Sequence, residues 1–193
     1  MAERPRLRSE YFENLYSASP DPWGFETSPY ERRKYERTLE VLQDRRYGRA
    51  LEVGASIGVF TEMLAPLCDE LLGVDVSEKA VSVARQRLRK YSHVRIERRE
   101  LPEEMPEGPF GLILASEVLY YLPREVMLET LARFEDALAP GGRLLAVHWR
   151  KETETYPLQG DEVHGLLVGN SRLHVRETIV EPEYRLDLFE DGR

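Results

Sequence analysis

Residues 50–58 read Ala50-Leu-Glu-Val-Gly-Ala-Ser-Ile-Gly58, and the next apolar run reads Leu71-Leu-Gly-Val-Asp75. The first is a short apolar strand that runs into a turn of small residues and opens a helix. Gly54 and Gly58 let the backbone bend sharply and approach a ligand, because a side chain at either position would fill that space. The second run ends on an acid about 20 residues after the glycines, the spacing at which a carboxylate can accept from both ribose hydroxyls of an adenosine. A strand-ending acid often does no more than cap a helix, but here Ser77 is placed to serve as that cap. The two runs together predict a seat for a nucleoside.

Outward from this segment, short apolar runs alternate with helical stretches. Ala50–Val53, Leu71–Val74, Val94–Ile96, Phe110–Ala115 and Leu144–Val147 read as strands, separated by helices over about 58–68, 78–90 and 123–138. Such alternation builds βαβ units and a mostly parallel sheet covered on both faces. Pro140-Gly141-Gly142 ends the third helix and turns the chain into Arg143–Trp149. A weaker helix over about 160–168 leads to two β-like runs, 172–181 and 184–190, joined by Glu181-Pro182-Glu183 as a candidate hairpin. Ahead of the core, a short helix and loop are expected up to about Pro29, and Ser28-Pro29 starts a helix through Tyr30, Tyr35, Leu39 and Leu42. Its polar face is Arg32, Arg33, Lys34, Glu36 and Arg37, and Arg4-Pro-Arg-Leu-Arg reads as a disordered end. The expected organisation is one domain, residues 1–193, with a cap over 1–47 and a Rossmann-like core over 48–193.

At 193 residues the chain is long enough to bury a core without cross-links. Its single cysteine, Cys68, cannot form an internal disulfide, and no signal-like leader opens the sequence, so a reducing cytoplasm is the expected setting. No apolar run approaches the roughly 18 residues of a membrane span. With Lys+Arg at 27 against Asp+Glu at 35, the net charge of -8 disfavours nucleic-acid partners.

Three ligand readings compete for the glycine turn. A dinucleotide site needs G-x-G-x-x-G, but position 56 is serine and position 59 valine, so that fingerprint fails. Gly54-Ala-Ser56-Ile-Gly58 matches the G-x-S-x-G elbow of serine hydrolases, with His148, His164 or His174 as the later base. An elbow, however, follows several strands and needs an upstream oxyanion-hole loop, and here the turn follows the first strand. The third reading is S-adenosylmethionine. Glu52-Val-Gly54-x-x-x-Gly58, Asp75, Phe110-Gly-Leu-Ile-Leu-Ala-Ser-Glu117 and Leu138-Ala-Pro-Gly-Gly-Arg-Leu resemble the ordered motifs of class I methyltransferases over about residues 48–190.

That resemblance implies an α/β, Rossmann-like fold with a seven-stranded, mostly parallel sheet carrying one antiparallel strand. It implies S-adenosylmethionine as cofactor and S-adenosylhomocysteine as product. Glu52, Gly54, Ala55, Ser56 and Gly58 would serve the methionine end, Asp75 the ribose, Val76 the adenine face, Glu100 and Leu101 the adenine edge, and Ser116 the methyl side. Ser56 stands where many members carry glycine, which is tolerable if its backbone avoids positive φ. A narrower likeness lies in the flanks: Asp21-Pro-Trp23-x-Phe25-Glu-x-Ser-x-Tyr30-Glu31-x-x-Lys34-Tyr35, Ser116-Glu117-Val-x-Tyr120-Tyr121, Val147-His148-Trp149-Arg150 and Tyr156-Pro-Leu-x-Gly-Asp161-Glu-Val-His164. These resemble nodulation-protein-S-type methyltransferases, which N-methylate an amino sugar of a chitooligosaccharide. The resemblance implies a small-molecule amine as acceptor, with oligomeric state left open.

A protonated amine has no lone pair, so a base or a pKa-lowering environment is needed beside the donor. Glu117 and His148, each at the carboxyl end of an expected strand, are the candidates, with helix capping and half-buried packing as their plainer roles. Tyr120, Tyr121 and Trp149 form a candidate aromatic wall for a sugar face or an alkylammonium. Trp23, Tyr30, Arg33 and Lys34 belong to the cap, which is expected to act as a lid with a cation meeting the cofactor carboxylate. Asp161 and His164, three apart, are placed on one helix face, but two ligands without cysteine are too few, and no metal site is expected. The rival from another class is a non-catalytic protein that binds the same cofactor.

Overall fold

The computed structural model describes residues 4–193; the first three residues of the expected cap lie outside them. Two helices come first, α1 (Ser9–Ala18) and α2 (Pro29–Leu42). Ser28 caps α2, its hydroxyl accepting from Glu31 N at 3.3 Å with Pro29 in the first helical position, as the sequence predicts. Strands and helices then alternate: β1 (Tyr47–Val53), α3 (Val59–Leu64), β2 (Cys68–Asp75), α4 (Glu78–Leu88), β3 (Val94–Arg98), β4 (Phe110–Ser116), α5 (Arg124–Ala137), β5 (Leu138–Trp149), α6 (Gly160–Asn170), β6 (His174–Val180) and β7 (Tyr184–Glu190). The seven strands make one sheet in the order β3-β2-β1-β4-β5-β7-β6. This is the expected seven-stranded Rossmann-like arrangement.

The chain divides into two compact units, Arg8–Glu100 and Leu101–Arg193 with residues 4–7. In the first, β2 pairs in parallel with both β1 and β3. Ala50, Leu51, Glu52 and Val53 of β1 are all buried, the pattern of a strand covered on both faces. Helix α4 lays Val81, Ala84 and Leu88 on Ile96 of β3. Ser77 caps α4, accepting from Ala80 N at 3.3 Å. The expected helix over about 58–68 is shorter, because Pro66 carries no backbone N–H for a continued α-helix and the chain tightens into a 3-10 turn over Ala65–Leu67.

In the second unit β4 and β5 are parallel, while β7 runs antiparallel to both β5 and β6. The expected hairpin forms, Glu181 N donating to Tyr184 O at 2.9 Å. Strand β5 starts earlier than expected, at Leu138. Its register against β4 jumps from Phe110–Leu138 to Leu112–Arg143, so Pro140-Gly141-Gly142 bulges inside the strand, with Gly141 at φ 67°. The N-terminal basic stretch is ordered rather than loose. Arg4 donates to the carbonyls of Tyr156 (2.7 Å) and Thr153 (3.1 Å), and Arg6 pairs with Glu103 at 2.6 Å. Among the described residues no helix is long and apolar enough to cross a membrane.

Candidate active site

The Arg8–Glu100 unit carries the glycine turn. Gly54 and Gly58 both stand at φ 78°, in the left-handed region that glycine alone enters freely. At Gly58 a Cβ would also lie 3.1 Å from Ala84 Cβ and 3.0 Å from Leu88 Cδ1, so α4 packs where a side chain would point. Between the two glycines Ser56 has φ 50°. The expectation that Ser56 avoids positive φ is therefore corrected: the turn forces a left-handed residue here. Its strain is offset by two bonds, Ser56 N donating to Asp75 Oδ2 at 2.9 Å and Ser56 Oγ meeting the Tyr16 hydroxyl at 2.5 Å. Burial, then the charge of Asp75, pushes the Tyr16 phenol up, so it keeps its proton.

Asp75 ends β2 half-buried. Oδ1 accepts from Ser77 N at 2.9 Å and Oδ2 from Ser56 N at 2.9 Å. Burial raises its pKa from the ordinary aspartate value, the bonds from Ser77, Ser56 and Val76 pulling the other way. A carboxylate offers about four acceptor sites, more than these backbone donors occupy. Glu52, on β1 just before the turn, is 2% exposed; burial pushes its carboxyl up to about 7, the Thr61 hydroxyl offsetting this only in part. Val76 is half-buried, and Glu100 lies near Arg8 (3.7 Å) and Arg98 (3.4 Å).

The cap residues belong to this unit. Trp23 stacks on Phe25 (centroids 5.5 Å) and meets Tyr16 edge-on (5.6 Å). Arg33 is exposed, but Lys34 departs from the expected solvated face: it is 2% exposed, 2.9 Å from Glu31 and 5.3 Å from the Tyr30 ring centroid. Placed on the inner side of α2 beside Tyr35 and Thr38, its ammonium needs that carboxylate. Cys68 is a free, buried thiol pushed up to about 12, chiefly by burial, and so is unreactive.

The second unit holds the candidate acid–base residues. Glu117 follows β4 at φ 55°, a conformation that costs a non-glycine residue about 1–3 kcal/mol and turns its carboxylate back toward β5. Oε2 accepts from the Tyr120 hydroxyl at 2.6 Å and from Trp149 N at 2.9 Å. Burial, then the Glu117 charge, lifts Tyr120 well above the ordinary phenol range, so Tyr120 keeps its proton and donates. Tyr120 and Tyr121, in a 3-10 turn over Leu119–Tyr121, pack on a third ring that sequence reading passed over: Tyr156 stacks on Tyr120 and meets Tyr121 edge-on, both at 4.8 Å. Its signal was present, in the same family-like segment as Asp161 and His164. Leu101 is buried, and its carbonyl accepts from Arg6 at 2.5 Å; Ser116, half-buried, pairs with Val147 in the β4–β5 ladder.

His148 is fully buried on β5. Its Nε2 accepts from Leu119 N at 3.2 Å, and its Nδ1 faces His164 Nε2 at 3.2 Å. His164 Nδ1 in turn donates to Asp187 Oδ2 at 2.7 Å. Asp161 and His164, three apart on α6, differ in surroundings: Asp161 is exposed and bonded to Arg150 at 2.8 and 3.0 Å, while His164 is 0% exposed. Among the described residues no group of three or more His, Cys, Asp or Glu side chains is arranged so that it could hold a metal ion. Ser56 Oγ meets the Tyr16 hydroxyl, and His148 and His164 are bound to one another.

Comparison with known proteins agrees with this layout. The family model for nodulation protein S (NodS) matches residues 12–153. Nodulation protein S of Bradyrhizobium diazoefficiens is 38% identical over 130 residues, 66% of this chain and 62% of that protein. That of Rhizobium tropici is 36% identical over 134 residues, 68% of this chain and 56% of that protein, so the chain spans less than two thirds of either relative. Among solved structures, the N-methyltransferase NodS of Bradyrhizobium japonicum WM9 in complex with S-adenosyl-L-homocysteine superposes with TM-score 0.86 at 27% identity, covering 97% of this chain and 100% of that one. A putative methyltransferase from Pseudomonas syringae gives TM-score 0.73 at 38% identity, over 83% of this chain and 98% of that one. The chain belongs to the nodulation protein S (NodS) family.

Proposed function

We propose that this chain is an S-adenosylmethionine-dependent methyltransferase acting on the nitrogen of a small amine, an amino sugar or chitooligosaccharide being the class its family favours. The observation that carries the reading is the Gly54–Gly58 turn, closed by Asp75 through its bond to Ser56 N. The residues fit the cofactor. A left-handed turn whose one large side chain, Ile57, is buried in the core suits its amino-acid tail, with Ala55 and Ser56 also between the glycines and Glu52 available to its ammonium. The spare acceptor sites of Asp75 suit the ribose hydroxyls, and Val76, Glu100, Leu101 and Ser116 are proposed to line the rest.

When bound, the cofactor supplies a methyl already activated by a sulfonium. The protein's task is to align an unprotonated nitrogen with it and exclude water, and alignment alone is worth about 7–11 kcal/mol in favourable cases. Glu117 is proposed to take the proton that the amine must lose. Its Oε2 is fixed by Tyr120 and Trp149 N, which sets the direction from which the amine approaches. Tyr120, Tyr121 and Tyr156, with Trp149, offer ring faces to a sugar or a cation. Trp23, Tyr30, Arg33 and Lys34 are proposed to close the cofactor side, and a cytoplasmic setting goes with the chemistry.

The test is release of S-adenosylhomocysteine over a panel of amines, including glucosamine and chitooligosaccharides with one free amino group. Turnover above the acceptor-free blank with at least one of them is expected. Tight cofactor binding with no turnover on any amine would favour the non-catalytic rival.

A further inference from the structure

Three polar side chains from three elements meet where solvent does not reach: His148 of β5, His164 of α6 and Asp187 of β7, each 0% exposed. We infer that they form a tautomer relay, a positioning device that fixes the 3-10 turn over Leu119–Tyr121 and through it the Tyr120–Glu117 pair that receives the acceptor. This rests on the reading above of Glu117 and Tyr120 as the acceptor end, and it gives His148 a role other than proton acceptor.

The polarity of the chain of bonds follows from its two ends. Asp187 can only accept, so His164 Nδ1, 2.7 Å from Oδ2, carries a hydrogen. Asp187 is itself fixed by the Thr178 hydroxyl at 2.6 Å on Oδ1 and by Arg185 at 3.0 Å on Oδ2. At the other end the backbone N–H of Leu119 can only donate, so His148 Nε2 presents its lone pair at 3.2 Å. A neutral imidazole has one N–H, and that of His148 therefore sits on Nδ1, facing a bare His164 Nε2 at 3.2 Å. The pattern closes with one proton per ring. A second proton on either ring would set two N–H groups against each other, so Asp187 dictates the tautomer of a ring two bonds away.

The consequence reaches the acceptor end through the backbone. Leu119 is 1% exposed, and without His148 its N–H has no water to turn to. Tyr120 follows directly, its ring 5.2 Å from the His148 ring and its hydroxyl on Glu117. Loss of the acceptor at position 148 thus loosens the residue that aims the carboxylate, and leaves the glycine turn and Asp75 untouched.

The test uses the full chain with His148→Leu and His148→Gln, since the glutamine oxygen can stand where Nε2 stands. Imidazole 15N shifts of the wild type should show Nδ1–H and bare Nε2 for both His148 and His164. Amide exchange at Leu119 should be slow, faster in His148→Leu, and slow again in His148→Gln. With an accepted amine, His148→Leu should raise KM and lower kcat, together reducing kcat/KM about 10- to 100-fold. Calorimetric affinity for S-adenosylhomocysteine should not change, and His148→Gln should recover most of the loss. An Nε2–H tautomer of His148, unchanged Leu119 exchange in His148→Leu, or His148→Gln as inactive as His148→Leu each overturns the relay. If His148→Leu does not fold, His164→Leu against His164→Gln gives the same comparison. The shifts and exchange rates need no turnover, so an inactive wild type with the expected tautomers would refute the acceptor reading and not the relay.

Discussion

Replacing Glu52 by glutamine separates what this carboxylate costs the fold from what it gives the ligand. Glu52 lies on β1 with 2% of its surface exposed, and burial lifts its pKa from 4.5 to about 7. A carboxyl whose folded pKa exceeds its unfolded pKa holds a proton in the native state that the unfolded chain has lost. Its contribution to stability is therefore greatest below the unfolded value, falls as pH rises through the window between the two, and is flat above it. A displacement of this size corresponds to a loss on the order of 3 kcal/mol. Urea denaturation of the ligand-free protein should show wild type losing about that much relative to Glu52→Gln between pH 4.5 and 7.5, with the variant the more stable at the upper end. Cofactor affinity should move the opposite way. If Glu52 meets the ammonium of the ligand it must ionise, so wild-type affinity should climb over the same window while the glutamine variant binds weakly and without that slope. Parallel stability curves for the two proteins would refute the burial argument, and equal affinity at high pH would remove Glu52 from the cofactor site.

Three further outcomes are expected. Glu117→Gln keeps an acceptor for Tyr120 and Trp149 N, so its melting point and affinity for S-adenosylhomocysteine should match wild type while kcat/KM falls about 10²- to 10⁴-fold; full activity would remove the base assignment. Asp75→Ala should weaken S-adenosylmethionine binding roughly 10- to 150-fold in calorimetry, from lost charge-assisted bonds worth about 1.5–3 kcal/mol, and unchanged affinity would count against the ribose site. In Gly160→Ala the new Cβ would stand 2.0 Å from the Trp149 carbonyl oxygen, so denaturation should report a loss of about 1–3 kcal/mol; a neutral result would mean that the β5–α6 connection yields easily.

The parts of this protein legible in its sequence are those set by local chemistry. Ser28-Pro29 and Ser77 cap helices because a hydroxyl can satisfy free N–H groups wherever it precedes a helical run. The apolar runs locate the strands, and Glu181-Pro182-Glu183 makes the hairpin. What escaped depends on distant partners. Nothing near Lys34 in sequence announces that its side of α2 turns inward. The left-handed Ser56 is held by Asp75 and Tyr16, 19 and 40 residues away. Arg4 is ordered by carbonyls of the loop that carries Tyr156. His164, in the same helical turn as Asp161, was readable as a polar residue but not as the middle of a buried relay, because β5 and β7 supply its partners.

The most direct trial of the cofactor seat is a crystal structure of the chain grown with S-adenosylhomocysteine. The nucleoside's ribose hydroxyls should lie within hydrogen-bond distance of the Asp75 carboxylate, with its amino-acid tail against the Gly54–Gly58 turn. Density for the compound elsewhere, with this turn collapsed or blocked, would contradict the assignment.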